Sequence, residues 1–264
     1  MRELSPMTTS DIALPATGGF RLRGEHLNRV EALSDVVFGF ALTLLGVSVE
    51  VPKTFDQLLQ TMREFPAFAI CFAILISLWH DHYKFFRRYG LEDRSTIFLN
   101  ALLLFIVILY VYPLKFLFSL LVTLSTTTGD PMARMPDGKL LSMIRTDQAE
   151  WITFIYGIGV AAVYAVLALL YAHAYRLRDT LHLNSLEAFE TRERIIGNLL
   201  RSGLGLTAAC GAVALGGYRG RWAGYVVFGL IPVVAIIHHS IVKRCRRKLI
   251  APNENITRDA RDSL

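Results

Sequence analysis

Cysteine is scarce: the 264 residues hold three, Cys71, Cys210 and Cys245, and their spacing suits no metal site. Cys71 and Cys210 fall inside apolar runs, where a small packing side chain is expected rather than a disulfide. A Gly-rich phosphate loop, a nucleophile elbow and a metal-ligand helix motif are all missing, so soluble catalysis finds no support. No repeat occurs at solenoid periods. Charge is thin as well. Only 19% of residues are charged against 53% hydrophobic, and the middles of the apolar runs carry almost none. A soluble domain of this length rarely averages so apolar.

What the chain does have is membrane-length hydrophobic runs. About six windows reach the roughly 20 residues that cross a bilayer, near 36–51, 65–83, 97–123, 151–175, 197–216 and 222–242. Mean hydropathy is +0.41. Residues 1–28 lack a compact apolar core followed by a small-residue cleavage site, and read as a loose polar tail. The expected class is an all-α membrane protein with six transmembrane helices. Its organisation is a cytoplasmic tail (1–28), a transmembrane domain (29–249) and a second cytoplasmic tail (250–264).

The net charge is +6 and the pI near 9.3. In a soluble protein that would suggest nucleic acid; here loop positives set topology, and no nucleic-acid partner is expected. Arg21, Arg23 and Arg29 precede span one. Lys84, Arg87, Arg88 and Arg94 follow span two. Arg176, Arg178, Arg192, Arg194 and Arg201 surround the loop after span four, and Lys243 to Lys248 follow span six. The bias predicts cytoplasmic termini and cytoplasmic 2–3 and 4–5 loops, in the cell membrane.

Punctuation divides the runs. Pro52 and Pro66 bracket a short amphipathic turn or helix around Phe55–Met62. Pro113 lies within span three beside Tyr110 and Tyr112 and would kink it. Residues 126–139, rich in Gly, Pro and Asp, read as a loop. Residues 177–200 mix Glu187, Glu190 and Glu193 with arginines and read as a linker with a solvated helical face. Gly203, Gly205, Gly211, Gly216 and Gly217 suit close packing of span five.

The opening of span one is the most informative stretch. Phe40, Thr43, Leu44 and Val47 recur at i, i+3, i+4 and i+7 and share a helical face. Copies of such a face around an axis would make an apolar pore with a ring of threonines, and a hydrophobic constriction can block ions by dewetting. On periodicity alone ordinary helix packing is the better account of the stripe. Ser34 and Asp35 stand at the mouth of the span, where an N-cap would account for them. The orientation also brings Arg29, Ser34, Asp35, Trp79, His82 and Asn100 to one depth. Buried polar groups there need partners, and a hydrogen-bonded collar joining spans one to three would supply them.

Arg29-x-x-x-Leu33-Ser34-Asp35, followed by Phe38, Ala41, Thr43, Leu44 and Leu45, resembles the Arg-x-x-x-Phe-Ser-Asp signature of the transmembrane protein 175 potassium channels. Trp79-x-x-His82 with Phe86 resembles the family's second-helix ending, and Leu99-Asn100 with Tyr112-Pro113 its third helix. The last three spans match mainly in number and hydropathy. The resemblance implies a prokaryotic single-repeat member, assembled as a homotetramer whose first helices line the pore. It implies passive, potassium-preferring conduction of monovalent cations, with no enzyme activity and no cofactor or metal beyond permeant potassium. By position Phe40 takes the main constriction, Thr43 the threonine linked to potassium preference, and Leu44 and Val47 the next rings. Arg29, Ser34, Asp35, Trp79, His82 and Asn100 take the polar cluster that braces the pore helix. Leu33, Val36 and Phe40 depart from the family's usual Phe, Gly and Ile or Leu. No Thr-Val-Gly-Tyr-Gly filter is present.

The alternative is an ion-coupled or proton-coupled transporter, against which the uncharged midplanes weigh. A haem or redox reading rests on His80, His82, His238 and His239 near helix ends. Two-residue spacing on a helix does not aim both rings at one metal.

Overall fold

In a lipid interior every backbone N–H and C=O must be paired within its own segment, which makes the apolar runs helices. The computed structural model describes residues 20–24, 28–46, 53–126, 132–134, 139–145 and 148–216, with scattered positions between 230 and 244. The helices are α1 (Arg29–Gly46), α2 (Phe55–Tyr89), α3 (Arg94–Thr126), α4 (Ala149–Arg176) and α5 (Ser185–Leu215). Among the described residues four helices, α2 to α5, are long and apolar enough to cross a membrane. The predicted sixth span and the C-terminal tail lie almost wholly outside the described residues.

Helix ends follow local chemistry. Asn28 caps α1: its side-chain oxygen accepts from Glu31 N at 2.6 Å. The helix therefore starts at Arg29, and Ser34 and Asp35 lie inside it rather than at its cap. Thr54 caps α2, and Gly90, with φ +59°, closes it by donating to Phe86 O. The left-handed conformation there is one that L side chains avoid. The predicted short helix at Phe55–Met62 is instead the start of α2, which runs unbroken through Pro66 for 35 residues. One lost hydrogen bond does not end a helix whose next turns, from Ala67 to Ile76, are all apolar. At 1.5 Å per residue it is about 50 Å long, well beyond the hydrocarbon core.

Asp93 starts α3, accepting from Ser95 N at 3.1 Å, the Thr96 hydroxyl at 2.5 Å and His173 Nε2 at 2.9 Å. Burial pushes its carboxyl up, but the Thr96 hydroxyl, His173 and the Ser95 N–H together hold it below the ordinary carboxylate range. Pro113 lies inside α3, and two tyrosines tie that region to α4. Tyr156 donates to Pro113 O at 2.6 Å and Tyr110 to Ile155 O at 3.0 Å. The expected loop at 126–139 contributes a strand, β1 (Met132–Arg134), which pairs antiparallel with β2 (Leu140–Ser142).

Two apolar cores share α3. One joins Phe38, Ala41 and Leu45 of α1 to Cys71 and Leu75 of α2 and to Leu104, Val107 and Val111 of α3. The other joins Phe85, Phe86 and Tyr89 of α2 to Leu103 and Ile106 of α3 and to Leu167, Leu170 and Tyr171 of α4. Helices α4 and α5 approach through small residues. A Cβ on Gly157 would stand 2.7 Å from Gly205 O, and one on Gly205 2.7 Å from Ala161 N. Of the span-five glycines, Gly205 serves the expected close approach, whereas Gly203 and Gly211 meet nothing. The Ser202 hydroxyl donates to Ala161 O across the same seam at 2.9 Å.

The linker expected at 177–200 is shorter, and its helical face is part of a longer helix. Residues 185–200 belong to α5, whose first turn is fixed by a reciprocal capping box between Asn184 and Glu187. Glu187 is buried and paired rather than solvated.

Candidate functional site

α1 has two unlike faces. Glu31, Ser34, Phe38, Ala41 and Leu45 are buried against α2 and α3. Leu33, Val36 and Phe40, with Thr43 above them, form a stripe that none of the described residues covers. The first three are 58%, 69% and 54% exposed. The spacing i, i+3, i+7, i+10 puts them in one row. Leu44 sits at the edge of this row, half-buried and packed on the first core. Val47 lies outside the described residues. The Thr43 hydroxyl donates back to Phe40 O at 2.8 Å. Its proton is thus engaged, and lone pairs are what the oxygen offers on the open side.

Behind the stripe runs the polar collar. Asn100 Nδ2 donates to Ser34 Oγ at 2.9 Å, and Ser34 Oγ donates to Val30 O at 2.8 Å. His82 Nε2 lies 2.8 Å from Asn100 Oδ1. With the amide nitrogen committed to Ser34, the network puts a proton on His82 Nε2. Its Nδ1 is buried without a partner among the described residues. The ring sits between Phe38 and Phe86, with centroids 5.6 and 4.7 Å away. Trp79 Nε1 donates to Asp35 Oδ1 at 2.8 Å. Five of the six predicted collar residues therefore meet across α1, α2 and α3. Arg29 is exposed and joins none of these bonds.

A second set of contacts fixes the entrance to α1 from below. Residues 20–24, expected as loose tail, are docked. Arg23 pairs with Glu187 at 2.7 Å and donates to Leu181 O at 2.9 Å. Arg21 N donates to Glu187 Oε1 at 2.8 Å. The backbone N–H groups of Arg23 and Gly24 reach Arg87 O, and the Arg87 guanidinium returns a bond to Gly24 O. A side chain on Gly24 would collide with Phe86 O. The Phe20 ring meets Tyr89 edge-on and lies under the Arg88 guanidinium. Sequence reasoning spent Arg21 and Arg23 on topology. The legible signal was Asn184-x-x-Glu187, a capping box whose carboxylate has lone pairs to spare.

Among the described residues no three His, Cys, Asp or Glu side chains gather to hold a metal. His80 is exposed beside Tyr83, and His238 and His239 lie outside the described residues.

Comparison with known proteins bears on the same helices. Residues 29–110 match the family described as Endosomal/lysosomal potassium channel TMEM175. Over 243 residues the chain is 35% identical to a potassium channel of Marivirga tractuosa, covering 87% of this chain and 94% of that protein. A crystal structure of a variant of the potassium channel MtTMEM175, bound to a nanobody fusion protein, superposes with a TM-score of 0.73. The identity is 34%, over 86% of this chain and 98% of that one. A lysosomal potassium-selective channel TMEM175 homolog from Chamaesiphon minutus superposes with a TM-score of 0.50 at 23% identity, over 80% of this chain and 96% of that one. The last is a likeness of fold.

Proposed function

Because the chain belongs to the TMEM175 family of potassium channels, which are not enzymes, we propose that it is a passive, potassium-preferring cation channel whose pore is formed by α1 of four subunits. The observation that carries this reading is the uncovered row on α1. Lipid would cover an open apolar face as well as copies of the chain would; the Thr43 hydroxyl set within this row, on a chain of a potassium-channel family, favours the copies. Four copies facing one axis make Phe40 the main constriction, Thr43 a ring of oxygen lone pairs above it, and Leu44 and Val47 the next apolar levels. Ions would be stopped by dewetting rather than by a charged gate.

In this reading the Ser34–Asn100–His82 chain and the Asp35–Trp79 bond hold the pore helix against α2 and α3. Arg29, at the mouth, adds positive charge to one membrane face. The subunit comprises residues 29–249 with six spans, flanked by cytoplasmic tails at 1–28 and 250–264. The protein sits in the cell membrane, and the only partners it requires are its own copies, lipid and the permeant cation.

Reversal potentials of reconstituted protein under opposed potassium and sodium gradients test the preference. Wild type is expected to reverse on the potassium side, and Thr43→Ala to move toward zero. An unchanged reversal potential in Thr43→Ala removes that residue from selectivity.

A further inference from the structure

α3 begins at Arg94 and α4 ends at Arg176, so two neighbouring apolar helices each stop in an arginine at the same end. Between them lies a cleft of about 400 Å³. Arg94, Ser95, His173 and Arg176 form its polar side, and Phe98 and Leu169 its apolar side. Other arginines at this end are engaged: Arg23 on Glu187, Arg88 on Glu190 and Arg194 on Asp81. Neither Arg94 nor Arg176 has an acid or acceptor partner among the described residues. Asp93, which bonds the lining residue His173, is also taken up by Ser95 and Thr96. Two uncompensated guanidinium groups thus stand at the edge of the hydrocarbon layer. Below them Phe98 and Leu169, 68% and 53% exposed, open onto an apolar track that continues along α3 through Leu102 and Phe105.

We propose that this cleft binds an anionic phospholipid, its headgroup phosphate held between Arg94 and Arg176 and an acyl chain lying along Phe98 and Leu169. Guanidinium forks match phosphate oxygens, and the Ser95 hydroxyl adds a donor. Basic clefts between membrane helices at the headgroup level are suited to such lipids. A free phosphate would meet the same arginines but leave the apolar wall uncovered, which is why the lipid is favoured.

The test is a melting-temperature titration of the purified protein in neutral detergent, with dioctanoyl phosphatidylglycerol, dioctanoyl phosphatidylcholine or inorganic phosphate. Phosphatidylglycerol is expected to raise the melting temperature saturably, and the other two to leave it unchanged. Arg94→Gln with Arg176→Gln should weaken half-saturation about thirtyfold, since each lost charge near a headgroup is worth roughly fivefold. Arg63→Gln, which removes an exposed arginine elsewhere, should leave it unchanged. If the double variant does not stay folded, each single variant should show about fivefold weakening. Equal shifts with phosphatidylcholine, an equal shift with inorganic phosphate, or equal weakening by Arg63→Gln would each overturn the proposal.

Discussion

Asn100 holds the collar together because its amide gives a donor to one helix and an acceptor to another. Its amide nitrogen serves Ser34 on α1 and its oxygen serves His82 on α2. Asn100→Ala would leave the buried His82 Nε2 unpaired and take from Ser34 one of its two bonds, at a cost of about 1–3 kcal/mol for the unpaired group if water does not enter. Thermal unfolding in detergent should show a clear loss of stability, with His82→Gln, which keeps a donor, losing less. Equal stability of wild type and Asn100→Ala would mean that the collar is not a structural tie. The collar was legible in the sequence as polar residues at one depth beside apolar runs. Arg29 was grouped with it for the same reason, but a long side chain one turn earlier reaches solvent instead. Leu44 shows a second limit of periodicity. It obeys the spacing of the open row, yet its packing on the first core is decided by α2 and α3, which helical periodicity does not see.

At the scale of elements, long apolar helices were readable because length and hydropathy both point to them. Their ends were not. Proline at 66 suggested a boundary, but propensity yields where the turns that follow, Ala67 to Ile76, are apolar and lipid forbids an unpaired backbone. Charge at 177–200 suggested solvent, yet Glu187 is neutralised by Arg23, more than 160 residues away in sequence, and no local pattern reveals such a partner. The α4–α5 seam is the element most sensitive to size. Gly157 and Ala161 on one helix face Gly205 on the other with no room for a side chain. Gly205→Leu must push backbone against backbone. A cost of about 1–3 kcal/mol, toward the upper end, is expected. The check is the yield of monodisperse protein and its melting temperature beside Gly203→Leu, which meets open space and should be tolerated. Equal behaviour of the two variants would contradict the packing described.

For the whole molecule, the two faces of α1 are the organising fact. One is tied into a three-helix core by apolar packing and a buried hydrogen-bond chain; the other, apolar but for Thr43, is left open by the described residues. In the proposed tetramer the bare face is the permeation path, and its phenylalanine level decides how readily water and ions cross. The most direct measurement is potassium flux from loaded liposomes containing wild type, Phe40→Ala or Ile70→Ala, the last being an exposed apolar residue on α2. The account predicts that truncating Phe40 raises flux several-fold at matched protein content, while Ile70→Ala behaves as wild type. Equal flux from all three folded proteins, or a rise with Ile70→Ala instead, would contradict a pore lined by this face of α1.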